Sequence, residues 1–341
     1  MLTSLFSYDL PKSRIAQHSV EPRDHSRLLV LHKDTGTTEH KKFFEIGSEL
    51  HAGDLLVVNE TKVFKARLRG SVDAHNVEVF LLRPEADESW IALAQPGKRL
   101  SVGSVIRFRD GSACNVLEKQ PDGVIRIGFG KDPQEIISWT EKFGDIPVPP
   151  YVTEQPTDLD EYQTVYAKQT GSVAAPTAGF HFTTELIDQM KNQGIRFATV
   201  TLHVGMGTFR PMKTDTIEEH VMHEEWIDVP EETMQLISET KQNGNRVIAV
   251  GTTTVRALES DIRHGFTNIF ITPGYTFKVI DALITNFHLP KSTLLVLVSA
   301  FAGANKTDPD DGRKMILNTY HEAIEKDYRF YSFGDAMLIE D

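Results

Sequence analysis

Ile146-Pro-Val-Pro-Pro-Tyr151 places three prolines in six residues. Each proline lacks an N–H and fixes φ, so neither a helix nor a central strand runs through this stretch. It reads as a crossing point between two parts of the chain. Upstream of it, from Lys62 to about Phe129, short alternating or apolar runs are separated by Gly, Pro, Asp and Asn: Val77–Leu82, Trp90–Ala94, Ser104–Arg109 and Gly123–Gly128. Regular short strands with frequent turn residues predict a small antiparallel β-barrel.

On either side of that segment the pattern changes. Helical periodicity occurs at Thr184–Asn192, Glu231–Gln242, Thr253–Arg263, Thr293–Gly303 and Asp311–Lys326. Strand-like runs occur at Leu28–Leu31, Leu55–Asn59, Arg196–His203, Arg246–Gly251 and Asn268–Ile271. Alternation of the two predicts an α/β fold, either barrel-like or a mixed sheet. The expected organisation is therefore a discontinuous α/β domain made of residues 1–61 and 151–341, with an antiparallel β-barrel domain inserted at 62–150.

A chain of 341 residues is long enough for a large core and for roughly two domains. Its single cysteine, Cys114, excludes an intrachain disulfide and a cysteine-built zinc site. Met1–Leu10 lacks the charged start and sustained apolar run of a signal peptide. The longest apolar stretch, Thr293–Ala304, is shorter than the about 20 residues that span a bilayer. These features predict a cytoplasmic protein with no membrane partner. The net charge of −12 argues against gripping nucleic acid by bulk electrostatics. Between Lys62 and Arg109, however, nine basic residues face five acidic ones, so this segment is net +4 and the remainder −16. A local basic patch containing Lys62, Lys65, Arg67 and Arg69 suits a structured RNA held at one place; a solvated β-surface is the plainer reading.

Gly171-Ser-Val-Ala-Ala-Pro-Thr-Ala-Gly-Phe-His-Phe-Thr183 follows neither period. Small residues such as Ala175 and Gly179 let a ligand approach the backbone, Pro176 fixes one φ, and His181 offers a titratable nitrogen between Phe180 and Phe182. A buried Gly/Ala-rich crossover loop is the alternative. Gly205-Met-Gly207 follows a predicted strand, but Arg210 spoils the dinucleotide fingerprint, and there is no Walker A sequence. Thr252, Thr253 and Thr254 stand where a strand gives way to a helix, with Arg256 close by. Unpaired N–H groups and hydroxyls at such a turn suit an anion, against ordinary N-capping by threonine. In Glu218–Glu225, His220, His223 and Glu224 stand at helical spacing for a metal, although the helical metalloprotease pattern is absent.

The stretches Gly171–Thr183, Gly251–Ser260 and Thr272–Thr293 together resemble one family, the S-adenosylmethionine:tRNA ribosyltransferase-isomerases of queuosine biosynthesis. Arg23–Leu31, Gly53–Lys62, His203–Pro211 and Tyr328–Met337 extend the resemblance over nearly the whole chain. It implies the same two-part architecture and two partners, S-adenosylmethionine and a tRNA carrying the queuosine precursor base, with no obligatory protein partner. Its reaction moves the ribosyl part of S-adenosylmethionine onto the aminomethyl group of a 7-deazaguanine at the wobble position. The base becomes epoxyqueuosine, and adenine and methionine leave.

S-adenosylmethionine is consumed in that reaction, and no metal or separate cofactor is implied. Proton abstraction beside the sulfonium needs a base. The matched motifs offer His181, His203 and His288 for proton transfer, with Glu259, Asp281 and Asp9 as acidic alternatives. The implied substrate-binding set is Ala175, Pro176, Thr177, Gly179, Phe180, Gly205, Gly207, Thr252, Thr253, Thr254, Arg256, Tyr275, Asn286 and Phe287. Of the aromatic residues in these motifs, Phe180, Phe182, Tyr275, Phe287, Tyr328 and Tyr331 are candidates for stacking on a base or on adenine. Rival readings are a metal-dependent hydrolase built around His203, His220 and His223, and a non-catalytic RNA-binding module.

Overall fold

The computed structural model describes residues 1–120, 123–205 and 211–341. Gly207 and Arg210 lie outside the described residues. The strands, in chain order, are β1 Arg27–His32, β2 Thr37–Lys42, β3 Leu55–Asn59, β4 Thr61–Val63, β5 Arg67–Val72, β6 His75–Pro84, β7 Ser89–Gln95, β8 Val105–Phe108, β9 Ala113–Lys119 and β10 Val124–Gly128. They continue as β11 Gln169–Ser172, β12 Arg196–His203, β13 Glu225–Asp228, β14 Val247–Val250, β15 His264–Thr267, β16 Ala282–Asn286 and β17 Ala336–Glu340. The helices are α1 Pro133–Phe143, α2 Thr184–Asn192, α3 Glu231–Gln242, α4 Thr252–Glu259, α5 Thr293–Ala302 and α6 Asp310–Glu325.

Nine strands form one mixed sheet in the order β15-β13-β12-β3-β14-β16-β17-β1-β2. Its centre, β12-β3-β14-β16, is parallel, whereas β17 runs antiparallel to β16. Of the two expected forms, the sheet is therefore mixed and open rather than barrel-like. The central strands read as unbroken apolar runs, Leu-Leu-Val-Val in β3 and Val-Ile-Ala-Val in β14, because both faces are covered. Leu29, Leu31, Leu55 and Val57 point to one core with α5 and α6. Leu28, Val30, Leu56 and Val58 point to the other, closed by Phe43, Ile46 and the Leu186 and Met190 face of α2. The two-residue alternation along each strand thus separates two hydrophobic layers.

β5 to β10 close into an antiparallel barrel in the order β10-β7-β6-β5-β8-β9. Leu68, Val79, Leu81, Trp90, Ile106, Val116, Ile125 and Ile127 fill it. Helix α1 follows, capped by Asp132, whose carboxylate accepts the Gln134 N–H at 2.8 Å, with Pro133 in its first turn. It ends at Gly144, where a Cβ would stand 2.0 Å from the Lys65 carbonyl. Only glycine lets the helix end sit that close to the barrel.

Two sequence expectations are corrected. Residues 268–271 are not a strand: the edge strand β15 is His264–Thr267, because its register against β13 pairs Thr267 with Glu225, while Ile271 is drawn into the core. The helix expected to run to Arg263 ends at Glu259, since Ser260 turns extended and its hydroxyl donates to the Arg256 carbonyl at 2.6 Å. Residues 211–224 form no helix, so the helical face that would have joined His220, His223 and Glu224 is absent. Among the described residues, no group of three or more His, Cys, Asp or Glu converges as a metal site.

Candidate functional site

A pocket opens at the carboxyl ends of the parallel strands β14 and β16. In open α/β sheets this is where ligands are held. Gly251 ends β14 at φ 90°, in the left-handed region, and lets α4 begin at once. The first-turn N–H groups of α4 have no intrahelical partner, and Thr252 and Thr253 line the pocket, so the positive end of the helix faces it. Asn59, at the end of β3, fixes this corner. Its Nδ2 donates to the Leu202 carbonyl at 3.0 Å and to Thr253 Oγ1 at 3.3 Å, and its Oδ1 accepts the N–H groups of Thr61 and Leu202.

The small-residue loop also lines the pocket, through Ala175, Pro176, Thr177 and Ala178. Thr177 Oγ1 donates to Asn286 Oδ1 at 3.0 Å, and Asn286 Nδ2 lies 3.4 Å from His181 Nε2. The amide therefore donates to Nε2, which places the proton of a neutral His181 on Nδ1, 2.7 Å from Ser26 Oγ. Burial, with smaller contributions from Arg329 and Arg23, pushes His181 down to about 3, so the ring is neutral at ordinary pH. It stands behind Asn286 rather than on the pocket wall.

His288 is the histidine that lines the pocket. Its Nε2 lies 2.9 Å from Thr285 Oγ1, and among the described residues Nδ1 has no hydrogen-bond partner. Its backbone is pinned by two phenols: the N–H donates to the Tyr320 hydroxyl at 3.0 Å, and Tyr8 donates to its carbonyl. Burial pushes His288 down to about 3. His203 lies elsewhere. Its ring stacks on Trp226 at 5.1 Å, Nδ1 is 2.7 Å from Thr61 Oγ1, and burial pushes it down to about 4.

Tyr151 and Tyr331 also line the pocket, their rings 4.7 Å apart. Tyr331 has φ 71°, a rare conformation for an aromatic residue, held by its N–H on the Phe287 carbonyl at 3.1 Å. Sequence reading passed over Tyr151, Asn59 and Ser26 as site residues; Asn59 and Ser26 stood inside matched motifs, and Tyr151 ended the proline run.

Residues 3–339 match the family model described as queuosine biosynthesis protein. The chain belongs to this family. It is 48% identical, over 98% of each chain, to the S-adenosylmethionine:tRNA ribosyltransferase-isomerase of Moorella thermoacetica. The crystal structure of S-adenosylmethionine tRNA ribosyltransferase from Thermotoga maritima is 37% identical, with a TM-score of 0.55 over 98% of this chain and 100% of that one.

Several residues drawn from this family's motifs brace the fold instead of facing the pocket. Arg256 is ion-paired with Glu225, both about 4% exposed, and Glu225 also accepts the Gly205 N–H at 3.0 Å. Neither Arg256 nor Gly205 lines the pocket. Thr254 donates back to the Val250 carbonyl at 2.7 Å and is fully buried. Glu259 accepts the N–H groups of Lys278, Val279 and Ile280 and the Tyr275 hydroxyl, at the far end of α4. Asp281 accepts the Val247 N–H at 2.8 Å, at the opposite end of the parallel strands from the pocket. Tyr275 borders a separate cavity with Lys33 and Phe277. Phe180 stacks on Phe333; Phe287 does border the pocket, but its ring is packed against Tyr320, Tyr328 and Phe330. At Gly179 a Cβ would meet the Tyr166 hydroxyl at 1.9 Å, so this glycine serves packing. Asp9 is exposed.

Of the four basic residues expected to hold RNA, two are engaged within the fold. Lys62 is exposed on β4, outside the barrel; Lys65 is half-buried. Arg67 donates to the Val148 carbonyl at 3.3 Å, and Arg69 pairs with Asp145 at 2.8 Å.

Proposed function

We propose that this chain transfers and isomerises the ribosyl moiety of S-adenosylmethionine onto 7-aminomethyl-7-deazaguanine at the wobble position of tRNA, giving epoxyqueuosine, adenine and methionine. The observation that carries this reading is the convergence of the Gly171–Thr183, Gly251–Ser260 and Thr272–Thr293 segments on one pocket. In it, a positive helix end and an uncharged imidazole line the same pocket.

The division of labour follows from the chemistry. The first-turn N–H groups of α4 and the hydroxyls of Thr252 and Thr253 receive the methionyl carboxylate. Arg256 has no part in this, because its charge is spent on Glu225. His288, neutral and with Nδ1 unpaired among the described residues, is the proton acceptor for the carbon beside the sulfonium. A neutral ring also adds no repulsion against positive sulfur. Thr177, Asn286 and His181 form a directed hydrogen-bond chain that holds the loop over the ligand. Tyr151 and Tyr331 supply the aromatic faces on which an unstacked base or adenine rests.

No metal or further cofactor enters the reading, and a cytoplasmic setting with tRNA as the macromolecular partner completes it. Among the described residues, no helix is long and apolar enough to cross a membrane. The test is mass analysis of nucleosides from precursor-bearing tRNA incubated with the protein and S-adenosylmethionine. Appearance of epoxyqueuosine supports the reading; an unchanged precursor nucleoside refutes it.

A further inference from the structure

The barrel carries a groove that the pocket chemistry leaves unused. Arg69, Phe108, Arg109, Trp139, Lys142 and Phe143 line it, and it continues past Arg107 on the neighbouring face. Arg107, Arg109 and Lys142 are exposed. Unlike Arg69, none of these three has an ion-pair partner among the described residues. Three carboxylates lie beside the groove: Asp145, already paired with Arg69; Asp110, hydrogen-bonded to the Trp139 indole; and Glu78. Four cations against three carboxylates, two of which already have partners, stand out on a chain of net charge −12.

The groove is also lined by aromatic rings. Trp139 packs edge-on to Phe108 at 5.0 Å and lies 5.9 Å from Phe143, which is 50% exposed. Trp139 Nε1 donates to Asp110 at 2.6 Å, which fixes the indole plane. Cations flanking fixed aromatic faces match the two needs of looped RNA, phosphate neutralisation and a surface for unstacked bases.

The distance is right as well. The Asp145 backbone pairs with Arg67 of the barrel, and Tyr151 already lines the pocket. Six residues of extended chain span at most about 22 Å, so one anticodon arm can touch both.

We infer that the groove between α1 and strands β5 and β8 is the contact surface for the anticodon arm of tRNA, holding nucleotides beside the one whose base enters the pocket. This rests on the proposed function, and it moves the RNA surface from Lys62, Lys65 and Arg67 to Arg107, Arg109, Lys142 and Phe143.

The experiment measures binding of a fluorescein-labelled anticodon stem-loop RNA, by anisotropy against salt, to the full-length protein and two variants. One is Arg107→Glu with Arg109→Glu and Lys142→Glu; the other is Phe143→Ala, an exposed position whose truncation leaves the barrel core intact. Binding of S-adenosylhomocysteine serves as the folding control. The charge variant should lose at least about thirtyfold in affinity at low salt, and its log–log salt slope should fall by roughly 2. Phe143→Ala should lose about tenfold. Wild-type RNA affinity in both variants overturns the surface while leaving the proposed function standing. A protein dimer that the variants dissociate, with RNA binding untouched, also overturns it and assigns the groove to a second copy. Failure of the wild-type protein both to bind RNA and to release adenine from S-adenosylmethionine with precursor tRNA overturns the function itself.

Discussion

Thr177 and Asn286 are joined by a 3.0 Å hydrogen bond from hydroxyl to amide oxygen, across 109 positions of sequence. Through that bond the small-residue loop is tied to the end of β16, and through the other end of the amide to His181. Asn286→Ala leaves a half-buried hydroxyl and a buried imidazole nitrogen without this amide as partner. It should cost about 1–3 kcal/mol of stability. Urea unfolding of Asn286→Ala, Thr177→Val and the double variant should show a coupling of roughly 0.5–3 kcal/mol between the two positions. Strict additivity would mean that the bond holds nothing.

Arg256 is predicted to be a structural residue. Arg256→Ala removes the counter-charge from the Glu225 carboxylate, 4% exposed, and should destabilise the protein by about 3–5 kcal/mol. Replacing the pair together, Arg256→Met with Glu225→Gln, should recover much of that loss. A well-folded Arg256→Ala protein with normal melting temperature and abolished S-adenosylhomocysteine binding would instead make the arginine a ligand residue.

At Gly251 any side chain must adopt φ 90°. Gly251→Ala should cost roughly 1–2 kcal/mol through backbone strain. Because the same turn aims the N–H groups of α4, affinity for S-adenosylhomocysteine should fall beyond what the stability loss explains. Calorimetric titration and thermal unfolding on one sample separate the two effects.

The buried histidines give stability a pH signature. His181 and His288 sit at about 3 and His203 at about 4, against an ordinary value of 6.5. The unfolded chain takes up protons below about 6.5 while the folded protein does not, so stability is full above that pH and falls as pH drops towards 4. Asp54, held below its ordinary 3.8 although burial opposes this, by hydrogen bonds from Arg246 and the His51 and Arg246 N–H groups, adds its loss only below about pH 4. Urea midpoints at pH 7.5, 6, 5 and 4.5 should decline steadily, and His203→Gln should flatten the decline. A flat profile from 7.5 to 4.5 would show that the rings are protonated in the folded protein.

His288→Gln should abolish turnover while S-adenosylhomocysteine affinity changes less than about threefold. Glu259→Gln and Asp281→Asn, which lie away from the pocket, should act through stability. Loss of ligand affinity in step with turnover would reduce His288 to a wall residue.

Much of the fold was legible because burial writes itself into apolar runs. Leu55–Asn59 and Arg196–His203 read as strands, and Thr184–Asn192 as a helix whose N-cap, Thr183, bonds the Leu186 N–H at 3.1 Å. β13 and β15 were not legible, since four-residue edge strands take their register from partners rather than from their own sequence. The site was legible as motifs but not as roles. His181, Thr177 and Asn286 meet only through tertiary folding, and the carboxylates Glu259 and Asp281, promising in sequence, turn out to satisfy backbone N–H groups. A motif preserves bracing as faithfully as chemistry, and spacing alone does not separate them.

In the proposed function the pocket uses S-adenosylmethionine as a source of sugar. The most direct measurement is chromatography of the small products after incubation with precursor-bearing tRNA and S-adenosylmethionine. Free adenine and methionine, in equal amounts and matched to modified tRNA, are the predicted result; S-adenosylhomocysteine, the residue of methyl transfer, would contradict it.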